Sequence, residues 1–569
     1  MLKFNVVRDE DGDITHIETA LTGYDLLGSA KLNKGCAFTP TERRLFHLNG
    51  LLPHQVETLE QQVSRMYAQY QEHGSNLSKN IYLNVLHDYN ETLFYKLASE
   101  HLEEILPIVY TPTVGAAVER FSLELRKPRG LYISYEKRDQ IKTILDQYLS
   151  PQTNLIVVTD GEAVLGIGDQ GIGGIKICNA KSMMYTLCGG LNPHYLASIQ
   201  LDVGTNNPHL LSDPMYLGWR HERIVGQDYD NFIELFVSAV KKKLPYSYLH
   251  WEDFGRDNAR RILTHYRNDI CTLNGDMQST GAVALACVLA GCAATRIPLT
   301  QQRIVIFGAG TAGVGIADQI IDAMVRQGLS EHAAYQQFWL LDKQGLLIDK
   351  QTLLLPFQKP YARLDSEITT WQLADNNFVS LLNVVEQVKP TILIGCSTLA
   401  GAFNKQIIQT MAKYVENPII MPLSNPTLKA EATPNDILNW TEGRAIIATG
   451  SPFANVTYGD RTIRIAQSNN VFAFPGIGLG AIAVKAKQLS DGMIWAAVDA
   501  LSQCSPAYQN KTDPLLPTLS EAPFVSRRVA LAVADAARKE GLAQIPDNIE
   551  LDRAIKYISW EPKYYPYKP

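Results

Sequence analysis

In the stretch HWEDFG, His250 to Gly255, two adjacent carboxylates stand between two large aromatic side chains. Trp251 and Phe254 are core residue types. Glu252 and Asp253 stay buried beside them only if something of opposite charge pairs with them. One reading is an ordinary strand end facing solvent. The other is a divalent cation: hard ions such as Mg2+ or Mn2+ take several oxygen ligands. A third acid is available, Asp276 in TLNGDMQSTG, in a loop just before a helix of small residues.

A second kind of chemistry is written in glycines. G-x-G-x-x-G occurs twice, as Gly166-Gly168-Gly171 and as Gly308-Gly310-Gly313. The second copy directly follows the strand-like RIVIF and opens the helix-like TAGVGIADQIIDAMV. The next strand, FWLLD, ends in Asp342, 29 residues after Gly313. Such an arrangement lets the backbone approach a pyrophosphate at the positive end of a helix, with the acid on the ribose hydroxyls. Asp342 there favours NAD over NADP, since a carboxylate repels a 2′-phosphate. Lys343 could compensate, and Gln344 carries no charge. The first copy follows a hairpin-like TDGEAVLGIG without a comparable acid and reads as a structural or substrate-lining loop.

The elements that must hold these groups follow from periodicity. NLIVVTD, SIQLDVGT and YSYLHWEDF read as strands, each ending in polar residues, and helical segments separate them. This alternation predicts an α/β fold with a mostly parallel sheet, ligands binding at the carboxyl ends of its strands. Asp160, Asp202 and the Glu252–Asp253 pair are therefore expected at one crevice. The expected organisation is an N-terminal helical and oligomerisation region over 1–75, a substrate and metal domain over 76–265 and a Rossmann-type doubly wound domain over 270–530. A C-terminal helix and tail follow over 531–569. TPTERR carries the signature of a capped helix, with Thr39 as cap, Pro40 in the first position and Glu42 three residues on. HQVETLEQQVSRMYAQY and residues 270–300 read as helical. The Pro- and Tyr-rich tail WEPKYYPYKP is expected to dock on a neighbouring subunit.

Bulk composition excludes several classes. The 569 residues are 46% hydrophobic and 19% charged, with a net charge of −6, which describes a globular protein with a large core. No basic excess points to nucleic acid. The apolar run from Gly281 to Ala294 is too short for a membrane span and reads as a buried helix. Eight cysteines are scattered without a C-x-x-C pair, as expected of reduced thiols. The N-terminus lacks the apolar stretch of a signal peptide, so a cytoplasmic location is expected.

The ordered series LNKGCAFT, NETLFY, PIVYTPTVG, VVTDGE, LGIGDQGIGG, LDVGTNN, WEDFG, FGAGTAG, DKQGLL, PLSNPT, ATGSPF and FPGIGLG resembles the malic enzyme family, including the malolactic enzymes, over nearly the whole chain. The resemblance implies oxidative decarboxylation of L-malate to pyruvate and CO2 with NAD, in a homodimer or homotetramer. It implies that Glu252, Asp253 and Asp276 bind Mg2+ or Mn2+. It assigns Lys181 in NAKSMMYT as general base and Tyr110 in IVYTPTVG as general acid. It also assigns Asn425 in LSNP, with Asn469 and Asn470 in SNNVFAFPG, to substrate and nicotinamide. Four departures stand near that site: Ala163 where the family usually has a carboxylate-binding arginine, Gly275 in place of an acid, Ser279 in place of glycine, and KICNAK before the lysine. Arg126, Arg129 and Lys176 are candidates to replace the missing arginine. Two other outcomes therefore stay open: malolactic conversion of malate to lactate with bound NAD, favoured by Ala163, and a non-catalytic nucleotide-binding homologue.

Overall fold

The computed structural model describes residues 3–569 apart from 165, 370, 372, 374–377 and 511. Its contacts divide the chain into two units. One comprises residues 1–273, 475–490 and 530–569, the other 274–474 and 491–529.

The first unit is built on five strands: β3 (Leu131–Ser134), β4 (Leu155–Thr159), β5 (Leu196–Asp202), β6 (Tyr248–Trp251) and β7 (Thr272–Asn274). They lie in the order β3-β5-β4-β6-β7. The β3–β5, β4–β5 and β4–β6 ladders are parallel. β4 and β6 are buried at every residue, which is why LIVVT and YLHW read as continuous apolar runs and do not alternate. A helix over Arg256–Tyr266 joins β6 to its neighbour β7.

A second, small sheet lies at the chain ends. β1 (Phe4–Arg8) and β2 (Ile14–Thr19) form a hairpin, and β17 (Tyr567–Lys568) adds to β2 in parallel. This corrects two expectations. The N-terminal region is not all helical. The tail docks on its own chain, where the Tyr567 hydroxyl donates to the Leu32 carbonyl and the Lys34 ammonium lies 3.8 Å from the Tyr567 ring centre. The Thr39 cap forms as predicted, with reciprocal hydrogen bonds to Glu42. The helix expected from His54 starts only at Leu59, capped by Thr58.

The second unit carries a seven-stranded sheet in the order β10-β9-β8-β11-β12-β13-β16. Its strands are β8 (Ile304–Phe307), β9 (Phe338–Asp342), β10 (Gly345–Leu346), β11 (Ile392–Gly395), β12 (Ile419–Pro422), β13 (Ile446–Thr449) and β16 (Ala466–Gln467), with a separate hairpin of β14 (Val456–Tyr458) and β15 (Arg461–Ile463). Among the described residues its strands pair in parallel except the edge strand β10, which runs antiparallel to β9. Chain order reverses across β8, as in a doubly wound sheet. Residues 270–300 are not continuously helical: β7 comes first, a π-helical turn spans Gly275–Ser279, and only then does the helix Thr280–Thr295 begin. Gly275–Thr295 is the one helix among the described residues long and apolar enough to cross a membrane, and 89% of its most apolar stretch is buried in the protein.

Candidate active site

β6 ends at Trp251, and the chain delivers Glu252 and Asp253 directly beyond it. Both are 2% exposed. Asp253 has φ = +57°, a left-handed backbone that costs energy for a residue with a Cβ and that clusters at functional sites.

The buried acid is answered by a buried base. Lys181, fully buried on the helix Ile175–Leu187, places Nζ 2.9 Å from Glu252 Oε1. His250 Nε2 lies 2.7 Å from the other oxygen, Oε2, and His250 Nδ1 lies 2.7 Å from the Tyr185 hydroxyl. Burial alone would raise the Glu252 carboxyl. Lys181 and then His250 outweigh it and hold the pKa below the usual range. Burial also lowers the His250 pKa against the pull of Glu252, so the imidazole is neutral at pH 7. Nε2–H then donates to the carboxylate, and Nδ1 accepts from Tyr185, a tautomer inferred from these contacts.

Tyr110 caps the end of the helix Leu102–Val109, and its ring centre is 5.4 Å from Lys181 Nζ. Burial raises its hydroxyl to about 12, and Lys181 beside it limits the rise. Thus Tyr110, Lys181, Glu252 and Asp253 form one buried constellation in the first unit.

The third predicted acid leaves the neighbouring strand. Asp276 follows β7 by two residues, half-buried in the first turn of the π-helix. One departure from the family pattern, Ser279, helps form this turn together with Asn274. Ser279 Oγ donates to the Gly275 carbonyl, and Asn274 Oδ1 accepts from the Met277 N–H. Gly275 does not leave Lys181 without an acid, because Glu252 is its partner.

The other strand ends serve structure. Asp160 accepts from the Tyr229 hydroxyl at 2.7 Å; burial raises its pKa to about 6 against the opposing Arg223. Asp202 accepts from the Trp219 N–H. The first glycine fingerprint is a braced loop: Asp169 takes two hydrogen bonds from the Arg223 guanidinium and others from Thr205 and Asn206. Arg126 pairs with Glu124 and Arg129 with Asp88 and Glu91, so neither is disengaged to replace the missing arginine. Lys176 is half-buried on the helix that carries Lys181.

In the second unit the glycine fingerprint has the required shape. A Cβ on Gly308 (φ = +111°) would meet Cys396 O at 2.4 Å, and one on Gly313 would meet Gly308 O at 2.0 Å. Gly310 caps the helix Thr311–Arg326 and has nothing within 4 Å of a Cβ, leaving the approach a pyrophosphate needs. Asp342 ends β9. Gln358 holds it: Nε2 donates both to Asp342 Oδ2 (3.1 Å) and to Ala309 O (2.8 Å). Gln358 was missed in the sequence, where a glutamine in an irregular loop gives no signal. Asn425 accepts from the Ser451 hydroxyl at 2.6 Å, Asn469 caps a short turn through Val471, and Asn470 reaches Thr280 Oγ1 at 3.5 Å.

Comparison with known proteins covers both units. Residues 87–267 match the family described as "Malic enzyme, N-terminal domain", and residues 277–538 match "Malic enzyme, NAD binding domain". The chain is 48% identical over 570 residues to the NAD-dependent malic enzyme 3 of Bacillus subtilis, covering 100% of this chain and 99% of that protein. It is 49% identical over 546 residues to the NAD-dependent malic enzyme of Pseudomonas syringae pv. syringae, covering 96% and 97%. Among solved structures, the Entamoeba histolytica malic enzyme superposes with a TM-score of 0.55 at 22% identity over 90% of each chain. The Pyrococcus horikoshii malic enzyme gives 0.54 at 22% identity, over 80% of this chain and 88% of that one. These two structural matches speak for the fold.

Proposed function

The chain belongs to the malic enzyme family, and from that premise we infer that it oxidatively decarboxylates L-malate to pyruvate and CO2 with reduction of NAD. The observation that carries this reading is the buried Lys181–Glu252 pair beside buried, left-handed Asp253.

We propose that Glu252, Asp253 and Asp276 hold Mg2+ or Mn2+. The donor set fits: all three are carboxylates, the class of ligand such ions take. When bound, the cation would draw electron density from the substrate's C2 oxygen, and NAD would accept the hydride leaving C2.

The chain's own groups handle the protons. Lys181 Nζ, after giving up its own proton, accepts the C2 hydroxyl proton as the carbonyl forms. The C3–C4 bond then breaks, CO2 departs and the electron pair remains as an enolate. Tyr110, whose hydroxyl holds its proton at neutral pH, donates to C3. Asn425, Asn469 and Asn470 are assigned to substrate and nicotinamide, and Gly308, Gly310, Gly313 and Asp342 to the dinucleotide. The cytoplasm and a homodimer or homotetramer complete the proposal; the eight cysteines, none of them bridged, suit a reducing compartment.

The deciding experiment is product analysis with malate, Mn2+ and NAD, with NADP in parallel. Pyruvate and NADH in equal amounts are expected, and NAD is expected to give the larger kcat/KM. Lactate without net NADH would overturn this in favour of the malolactic outcome, and no product would favour a non-catalytic homologue.

Ala163 supplies a further prediction. Its N–H donates to the Asp253 carbonyl, so it lies against the proposed metal site. Restoring an arginine there adds a charge-assisted hydrogen bond to the substrate carboxylate, worth about 1.5–3 kcal/mol. Ala163→Arg is expected to lower the KM for malate about tenfold or more. Loss of activity in a variant of unchanged circular dichroism would mean that the pocket has been rebuilt for another substrate.

A further inference from the structure

The helix Ile175–Leu187 and the end of β6 are joined by two matched rungs. Lys181 meets Glu252 and, one helical turn later, Tyr185 meets His250. The match is geometric. Four helical residues rise about 6 Å, and two strand residues rise about 6.6 Å. The i, i+4 pair on the helix thus faces the i, i+2 pair on the strand, and the two rungs are cross-linked because His250 also bonds Glu252. Lys181 and His250 are fully buried and Glu252 is nearly so. Tyr185 is also fully buried, and the chain Tyr185–His250–Glu252 fixes the orientation of the carboxylate.

We propose that His250 is a positioning residue for the metal: held by Tyr185, it anchors Glu252 Oε2 and so presets the carboxylate that ligates the cation. This rests on the reading of Glu252 as a metal ligand. The mechanism given above makes no use of either His250 or Tyr185. A carboxylate has about four lone-pair sites, so Glu252 can keep both His250 and Lys181 and still offer a lone pair. Without the His250 bond the side chain gains rotamers that point away from the site, and each must be given up when the ion binds. Partners of metal ligands of this kind are worth about 10–100-fold in metal affinity.

The test measures Mn2+ binding to the full-length protein by the electron paramagnetic resonance signal of free Mn2+, without substrate or turnover. His250→Phe is expected to raise the Kd for Mn2+ about 10–100-fold. His250→Gln keeps an N–H donor and is expected to recover most of that loss. Tyr185→Phe removes only the outer hydrogen bond and is expected to give a smaller rise. A wild-type Kd for His250→Phe, or equal weakening by His250→Phe and His250→Gln, would overturn the proposal, the latter by showing that only packing matters. If His250→Phe loses its circular dichroism, Tyr185→Phe decides: a raised Kd supports the anchor and a wild-type Kd refutes it. Asp276→Ala separates the two layers of the argument. If it leaves Mn2+ binding unchanged, the metal site itself is misassigned and the proposal falls with it. If it abolishes binding while His250→Phe does not, only the positioning role fails.

Discussion

Lys181→Ala is expected to lower kcat for malate about 10²–10⁴-fold, with a much smaller change in KM. Proton transfer to a positioned base contributes that much, and it contributes in the transition state and not in ground-state binding. The side chain has no surface exposure and pairs with Glu252, as the proposed role at an enclosed site requires. Removing it also leaves a buried carboxylate with one hydrogen-bonding partner fewer. Breaking a buried pair of this kind costs about 3–5 kcal/mol of stability. Kinetics must therefore be measured well below the melting temperature of the variant, with circular dichroism as the control. A rise in KM at unchanged kcat would make Lys181 a binding residue. A fall in kcat with unchanged Mn2+ and NAD binding is the result that identifies the base.

The second large effect is on metal dependence. Asp276→Ala is expected to abolish malate turnover and Mn2+ binding while leaving the fold intact. Asp276 is half-buried in the π-helical turn, and the hydrogen bonds of Ser279 to Gly275 and of Met277 to Asn274 do not involve its side chain. Removing one of three proposed carboxylate ligands leaves too few charged donors for a hard cation. The wild-type protein should correspondingly lose turnover in excess EDTA and regain it with Mn2+. Full activity in EDTA would refute a metal-dependent reaction whatever the variant does.

These two predictions differ in how much of their basis was visible in the sequence. The proposed metal acids were partly legible, because two carboxylates between Trp251 and Phe254 conflict with a buried strand end unless a cation is near. The nucleotide site was legible in full outline, because a strand, three glycines at set spacing, a helix and an acid at the next strand end are all local features. The partner of Lys181 was not legible. Gly275 stands where the family carries an acid, which raised the prospect of a base without a counter-charge. The structure pairs Lys181 with Glu252, so this departure leaves the proposed base with a counter-charge.

The sequence alone determined what local chemistry fixes. Thr39, Pro40 and Glu42 dictate a capped helix start. Gly308, Gly310 and Gly313 dictate a turn in which a Cβ would clash at the first and last positions, and the apolar runs LIVVT and YLHW dictate buried parallel strands. Each depends on backbone sterics or on burial within a few residues, so neighbours in the chain suffice to read it. Tertiary structure alone decided which side chains meet. Tyr185 and His250 are 65 residues apart, and Arg223 reaches Asp169 across 54. Arg129 is taken up by Asp88 and Glu91, and β17 finds β2 at the opposite end of the chain. Such pairings follow from strand register and from the face a helix presents to the sheet. A shift of one residue would exchange every partner, and no periodicity along the chain records it.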